Sequence, residues 1–600
     1  MLHFPKPDVE QFFQTYGIQT FAVSPDETQL VFSTNLNGKY NVWGMDLPNT
    51  FPYPLTFHNQ STDVLLYDGN GDYMLAVSDE DGDENGQIYA IPSQGGGLKP
   101  VRSVEGAKHF DPMLSDDGKR LYYTSTKDDP TFMKSYVYHL DTDKEEIILH
   151  GDKGSTALID KSPSEKRFLY FKFFANTYSL AYVKSDEEDL LLTPETEDQH
   201  TVSGGVFVSE SEIYLLTNYD SDFSYLSRYN IDTKTFERVL KLEKEDLVDV
   251  KFDQKTDSLY LVSQKGVRTY LYNYDIKNQR VERIEAPVSI IDEIVVARSG
   301  SIYVRGNDAT VPMNIYKREG ENWVTLTNFG VPGVKEEELV APEVVTYPSF
   351  DVLPIEALLY RPKKEVDNGH TILWPHGGPQ AAEQAKFRSL FSFLVYSGYT
   401  LFAPNFRGST GYGLEFMKKV EGDWGHGPRL DNVAGLEWLL EQGYASRDKI
   451  LLMGGSYGGY MALLLHGRNG DYFKAVVDIF GPSDLFSFID SVPEHWKPAM
   501  AQIVGDPVKD KEKLTEDSPI KYVDSMTKPM LVIQGAKDPR VVQAESDQLV
   551  AALKKKGRNV EYIVLEDEGH GFSKKENEMM VYRKVLEFFE QHVGVGAVKS

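Results

Sequence analysis

From Thr20 to Phe329 the chain repeats one statement: a polar turn, an alternating apolar strand, a second turn and an aromatic-rich strand. The clearest copies place Val23-Ser24-Pro25-Asp26 before Leu30-Val31-Phe32, Tyr67-Asp68-Gly69-Asn70-Gly71 before Tyr73-Met74-Leu75, and Leu114-Ser115-Asp116-Asp117-Gly118 before Leu121-Tyr122-Tyr123. Weaker copies open near Ser162, Ser209, Asp253 and Ser299. With anchors at 24, 69, 115, 162, 209, 253 and 299, the successive differences are 45, 46, 47, 47, 44 and 46 residues. A period of about 40 to 50 residues built from period-two strands is the signature of a β-propeller, in which four-stranded blades surround a channel. A pair of irregular β-sandwiches is the competing arrangement, but it has no reason to hold a constant spacing through seven copies.

After about Val340 the grammar changes to short apolar strands alternating with helical stretches. Strands are expected over 344–360, 371–374, 400–403, 450–453, 475–478, 530–534 and 561–565, with helices at 430–442, 460–466, 543–555 and 576–592 between them. Such alternation argues for a doubly wound, mostly parallel sheet covered on both faces. The expected organisation is a helical extension over 1–16, a seven-bladed propeller over 17–335 and the α/β domain over 336–600. The extension is expected to pack against the second domain.

Composition narrows the chemistry. The 63 Lys+Arg against 91 Asp+Glu give a net charge of -28, which repels nucleic acid and anionic membranes, and no basic stripe offsets it. With no cysteine there is no disulfide, thiolate nucleophile or Cys-ligated metal. No His-Glu-x-x-His occurs, which disfavours a zinc hydrolase, and no metal or cofactor is expected. The first residues lack a secretion signal and no stretch reaches about 18 apolar residues, so a cytoplasmic protein is expected.

The most informative stretch is Ile450-Leu451-Leu452-Met453-Gly454-Gly455-Ser456-Tyr457-Gly458-Gly459-Tyr460. A G-x-S-x-G at a strand-to-helix junction forces a strained turn that pushes the serine hydroxyl out, and this makes Ser456 the candidate nucleophile of an α/β-hydrolase domain. A glycine-rich turn without chemistry is the bland alternative. A serine hydroxyl needs a base and a group to orient that base. The loop after strand Met530-Leu531-Val532-Ile533-Gln534 carries Asp538, preferred as the acid over Asp524, Asp547 and Asp567. His570, between glycines in the loop after the next strand, is the candidate base. The side-chain-poor loop Pro375-His376-Gly377-Gly378-Pro379 makes the Gly378 amide, with that of Tyr457, the candidate oxyanion hole. The same loop could be only a tight turn. Arg540, two residues beyond Asp538, can bind a substrate carbonyl or bridge to the propeller. Phe486, Phe488, Ile489 and Trp496, with Val541, are candidates for an apolar specificity pocket. The acidic run Asp79-Glu80-Asp81-Gly82-Asp83-Glu84-Asn85-Gly86 lacks the sixth-position glycine of a calcium loop and reads as a solvated hairpin turn.

A propeller followed by a hydrolase domain with Ser, Asp and His in that order resembles the prolyl oligopeptidase family of serine peptidases over nearly the whole chain. The run Asn405-Phe406-Arg407-Gly408-Ser409-Thr410-Gly411-Tyr412-Gly413 and the segment Gly422-Asp423-Trp424-Gly425 look like motifs of that family, and His376-Gly377-Gly378-Pro379 and Asp538-Pro539-Arg540-Val541 are most similar to its acylaminoacyl-peptidase branch. The resemblance implies a propeller that screens the active site and cleavage of short peptides, with release of acylated or unblocked amino-terminal residues. The dipeptidyl-peptidase branch holds the substrate's amino terminus with paired glutamates; Glu145-Glu146 and Glu187-Glu188 read instead as solvated turns. The proline-specific oligopeptidases have a Tyr where this chain has His376. A dipeptidyl-peptidase-like exopeptidase and a carboxylesterase with the same triad remain alternatives, as does an inert hydrolase domain beside a binding platform. Assembly into a homo-oligomer is left open.

Overall fold

The computed structural model describes residues 5–185 and 188–594. The repeats form seven antiparallel four-stranded sheets, each built from four consecutive strands. The first contains Ile18–Val23, Gln29–Thr34, Asn41–Asp46 and Tyr53–Pro54, and the last contains Ile290–Val296, Ile302–Asn307, Asn314–Glu319 and Asn322–Thr325. Because no strand is exchanged between the first and last sheets, side chains close the ring. Ile18, Phe21, Leu30 and Phe32 share one apolar core with Tyr303 and Ile315. The Tyr303 hydroxyl donates to Glu27 at 3.0 Å, and Arg305 Nη1 donates to the Ile18 carbonyl at 3.0 Å. Each of the other six seams between neighbouring blades has its own core.

All seven innermost strands carry a β-bulge at the same level. The register slips between Ile18 and Phe21, Thr62 and Val64, Phe110 and Met113, Leu158 and Asp160, Val202 and Gly204, Leu247 and Asp249, and Ile291 and Glu293. A bulge leaves one residue unpaired and re-aims it. The residues so displaced include Asp63, Asp111, Ile159, Ser203, Val248 and Asp292, and Asp111, Ile159, Ser203 and Val248 line the internal cavity.

The second body is an eight-stranded sheet of β1 (Glu343–Pro348), β2 (Pro354–Tyr360), β3 (Thr371–Leu373), β4 (Thr400–Pro404), β5 (Ile450–Gly455), β6 (Phe473–Ile479), β7 (Met530–Gly535) and β8 (Val560–Leu565). The strand order is β1-β2-β4-β3-β5-β6-β7-β8. The stretch 344–360, expected as one strand, is the β1–β2 hairpin, which turns at Ser349 to Leu353. From β4 onward all pairs are parallel, and the inner strands β3 to β7 are almost wholly buried, which is why they read as apolar runs, whereas β8 at the edge is half-buried. Parallel strands point their carboxyl ends to one rim, so the loops after β3, β5, β7 and β8 gather there.

The short helix Val9–Phe13 buries Val9, Phe12 and Phe13 in the core of the second body. Phe12 lies on Phe393 and Tyr396, and Phe13 stacks on Tyr582. Residues 9–13 therefore lie on the sheet domain, and the chain crosses from there to the propeller and returns.

The segment 405–413 is docked onto blades five and six. The Gly266 amide donates to the Gly411 carbonyl at 2.9 Å, and Asp222 accepts from the Leu414 and Glu415 amides. A Cβ at Gly413 would lie 2.4 Å from Asp222, so glycine is demanded there by the approach as well as by its φ of +88°. Arg407 leaves the loop to pair with Asp431, whose carboxylate is wholly buried, and with Asp351. Among the described residues no helix is long and apolar enough to cross a membrane.

Candidate active site

Ser456 sits between β5 and the helix Tyr457–Asn469 with φ +57° and ψ −123°, a conformation costly for a non-glycine residue. The surrounding glycines hold that turn by absence of side chains. A Cβ at Gly454 would come 2.1 Å from the Gly458 carbonyl oxygen, and one at Gly458 would come 2.1 Å from that of Pro375. The Ser456 amide is tied to the Ile479 carbonyl at 2.9 Å, which fixes the turn to β6.

His570 Nε2 lies 2.8 Å from Ser456 Oγ and His570 Nδ1 lies 2.7 Å from Asp538 Oδ2. A carboxylate only accepts, so Nδ1 carries the proton and Nε2 is free to accept from the serine hydroxyl. The other oxygen of Asp538 accepts the amides of Arg540 and Val541, each at 2.9 Å, which fixes the carboxylate. The Phe480 ring flanks the imidazole, centroids 4.6 Å apart. The loop bearing His570 is shaped by Glu568, which is fully buried and accepts from the Ser573 amide and hydroxyl, the Lys574 amide and Asn577 Nδ2.

The loop after β3 abuts the serine: a Cβ at Gly377 would lie 3.5 Å from Ser456 Cβ. Gly378 has φ +125°, and neither its amide nor that of Tyr457 has an acceptor among the described residues. Two unpaired N–H groups beside a nucleophile can receive a developing oxyanion. His376 anchors this loop rather than entering the site. It is buried, stacks on Phe406 at 4.2 Å, and hydrogen-bonds Gly377 O and Ser409 Oγ; burial pushes its imidazole pKa down.

A cavity of about 1050 Å³ lies between the propeller and the rim. Gly378, Trp424, Phe488, Trp496 and Arg540 line it from one side, Phe174 and Asp111 from the other. Phe486, Ile489 and Val541 do not line it. On the helix Leu485–Ser491 the buried face carries Leu485 and Phe488, and Phe486 and Ile489, about 100° round, are only partly buried against the edge of the same core. Val541 is buried in that core and serves the site through its amide.

Arg540 reaches the propeller, with Nε 2.6 Å from Glu84 Oε1 in an ion pair. Glu84 belongs to the acidic run 79–86, which is therefore a contact between the two bodies and not a solvated turn. Its partners on the sheet domain lie over 450 residues away, so no local pattern marks them. Glu145 is likewise no turn residue. It stands on the outer strand Lys144–His150 and pairs with Arg102 and Lys127, away from the cavity. Glu187 lies outside the described residues, and Glu188 pairs with Lys234. No group of three or more His, Asp or Glu side chains could hold a metal ion among the described residues.

Comparison with known proteins gives the same picture. The prolyl oligopeptidase family matches residues 385–596. A Caenorhabditis elegans protein named dipeptidyl peptidase family member 6 is 25% identical over 98% of this chain and 86% of its own length. Dipeptidyl aminopeptidase BIII of Pseudoxanthomonas mexicana is 32% identical over 64% of this chain and 58% of its own. The solved structure of a puromycin-hydrolysing peptidase of Mycobacterium tuberculosis superposes with a TM-score of 0.86 at 17% identity, covering 98% of this chain and 96% of that one, a likeness of fold. With the propeller, the parallel sheet and the serine turn already in place, the chain resembles the serine peptidases of the prolyl oligopeptidase family, whose model matches its residues 385–596.

Proposed function

We propose that this protein hydrolyses short peptides through an acyl-enzyme formed on Ser456, with residues 17–335 as the screening propeller and 336–600 as the catalytic part. The observation that carries this reading is the 2.8 Å contact between His570 Nε2 and Ser456 Oγ. As Ser456 attacks the scissile carbonyl, His570 takes its proton. Asp538 holds the ring and balances the imidazolium, and the Gly378 and Tyr457 amides receive the oxyanion. One such donor is worth on the order of 10²- to 10³-fold in kcat. His570 then protonates the leaving amine, and water attacks the ester by the reverse path.

Size selection follows from the cavity. About 1050 Å³ sits at the upper end of the roughly 300–1,000 Å³ of ordinary ligand sites, enough for a few residues of peptide and too small for a folded domain. Trp424, Phe488 and Trp496 offer a bulky apolar side chain a place to bind. Asp111 favours an unblocked amino terminus over an acylated one. It stands at a bulge with φ +47°, lines the cavity, and its side chain accepts no hydrogen bond among the described residues. Asp111 is exposed to the cavity, and the surrounding protein that crowds out water pushes its carboxyl up to about 6. An arriving ammonium would pair with it. The cysteine-free composition suits work in the reducing cytoplasm.

The test compares kcat/KM on one preparation for a dipeptidyl anilide with a free amine, an N-acetylaminoacyl anilide and a short aryl ester. The free-amine anilide is expected to lead; an ester preferred over both anilides makes the protein a carboxylesterase. Ser456→Ala is expected to abolish labelling by a fluorophosphonate and to lower kcat by several orders of magnitude. Persistent labelling or turnover in that variant defeats the assignment of Ser456.

A further inference from the structure

The propeller loop between the strands Tyr73–Ser78 and Gln87–Pro92 is rich in acid, but its carboxylates do two different jobs. Asp79 and Asp83 shape the loop itself. Asp79 Oδ2 accepts the Glu84 amide, and Asp83 Oδ1 accepts the amides of Glu80 and Asn85. Asp81, Gly82 and Glu84 take φ of +53°, +76° and +59°, so the loop is held in a conformation that extended backbone would not reach. Gln60 Oε1 fixes it from below by accepting the Asp81 amide at 2.9 Å.

Asp81 points the other way, toward the rim of the sheet. Its Oδ2 accepts from Lys537 Nζ at 2.6 Å and its Oδ1 from Lys574 Nζ at 2.8 Å. Lys537 is the residue immediately before Asp538, and Lys574 lies four residues after His570. One carboxylate of the propeller thus grips both loops that carry the triad's acid and base. The two loops are also joined directly by the bond from the Lys537 amide to the Glu568 carbonyl, 3.0 Å. The backbones of Gly82 and Gly569 press together beside the grip: a Cβ at Gly569 would lie 1.9 Å from the Gly82 carbonyl oxygen. The two lysines hold the Asp81 carboxyl down at about 2, so the grip is fully charged at any working pH. Without that carboxylate Lys537 would lose its ion-pair partner, Lys574 would keep only Asp567 at 2.6 Å, and the two loops would lose their shared anchor on the propeller.

We propose that Asp81 is a positioning residue for the triad, setting the distance between the Asp538 and His570 loops from the propeller through Lys537 and Lys574. It touches no reacting atom, and the inference rests on the reading of Ser456, His570 and Asp538 given above. A group that aligns the base contributes to the reacting geometry more than to substrate affinity, so its loss falls on kcat.

The experiment measures kcat and KM of the full chain on the best anilide, with fluorophosphonate labelling rate and Tm on the same preparations. Asp81→Asn is expected to lower kcat at least 10-fold, about 1.4 kcal/mol of barrier, with KM within threefold and a labelling rate that falls in parallel. Asp81→Glu, which keeps the charge, is expected to restore kcat to within threefold of the parent. Glu80→Gln, in the same loop but exposed and outside the grip, should leave kcat unchanged. Should Asp81→Asn fail to fold, Lys537→Met with Lys574→Met removes the same contacts from the other side, and the same loss is expected. A folded Asp81→Asn or double lysine variant with kcat within threefold of the parent, or a loss confined to KM, overturns the proposal. If the parent protein is not labelled at Ser456, the triad reading itself has failed and the proposal falls with it. Labelling at equal rates in parent and variant defeats Asp81 alone.

Discussion

Substituting Gly569 by alanine tests whether the propeller bears on the triad. The backbone at this residue lies outside the left-handed region, so alanine meets no conformational penalty and the effect is one of contact alone. Its Cβ would stand 1.9 Å from the Gly82 oxygen and 2.6 Å from the Gly82 carbonyl carbon. A carbon and a carbonyl oxygen settle at about 3.3 Å or more, so the two backbones must part by roughly 1.4 Å. If the His570 loop yields, the Nε2–Oγ separation of 2.8 Å opens to about 4 Å, outside hydrogen-bond range. If the propeller loop yields, the Asp81 contacts lengthen instead and the loops lose their brace. A misplacement of about 1 Å costs on the order of 10²-fold in rate, and the overpacking destabilises the fold by about 1–3 kcal/mol. Steady-state kinetics on an anilide, with urea unfolding to measure stability, reads both. A folded Gly569→Ala protein with kcat/KM within threefold of the parent would show that the loops tolerate the separation, and the reasoning would be wrong.

Two further substitutions address the sheet domain. Arg407→Met removes the partner of Asp431, whose carboxylate is wholly buried and would keep only its hydrogen bonds from Ser349 and the residue 407 amide; an uncompensated buried charge costs about 3–5 kcal/mol, read as a lowered urea midpoint. Asp478 is fully buried, accepts the Gly481 amide and has its carboxyl pushed up to about 8 by desolvation. The folded chain keeps that proton up to about pH 8 and the unfolded chain releases it near pH 4, so stability falls as pH rises through this window. Asp478→Asn should remove that dependence, and its Tm relative to the parent should climb from pH 5 to pH 8; a difference flat with pH contradicts the assignment.

The propeller was legible because its turns are local: Ser24-Pro25-Asp26 or Asp116-Asp117-Gly118 dictates a reversal whatever lies elsewhere in the chain. The seven bulges were not, since an inserted residue such as Asp63 or Val248 shifts the alternation by one place and looks like ordinary noise in a strand. Nor was the closing of the ring, which depends on Arg305 reaching Ile18 from the far end of the repeat array. Ser456, Asp538 and His570, which the structure joins in one chain of hydrogen bonds, each stand out in their own neighbourhoods, because each follows a strand whose carboxyl end is fixed by the parallel sheet. Phe486 and Ile489 could not be sorted from Phe488 without the phase of their helix, which depends on what Leu485 packs against.

The acidic run 79–86 shows where reading by local pattern stops. Asp at alternate places in a glycine-containing turn is what a solvated loop looks like, and nothing within fifty residues of Asp81 says otherwise. Its partners, Lys537 and Lys574, each look like a surface lysine taken alone. Only the fold makes them a unit, by setting the loop between the second blade's strands against the ends of β7 and β8. The same holds for Phe12 and Phe13, which sit before the propeller in sequence and in the core of the sheet domain in space. The change of sequence grammar near residue 340 therefore divides the chain by secondary structure and not by mechanical dependence. The carboxyl-terminal part contains Ser456, Asp538 and His570, yet contacts that brace the His570 loop and fill the face around Phe393 and Tyr582 also come from residues 9–86. An excised 336–600 segment would keep all three side chains and lose part of what positions them.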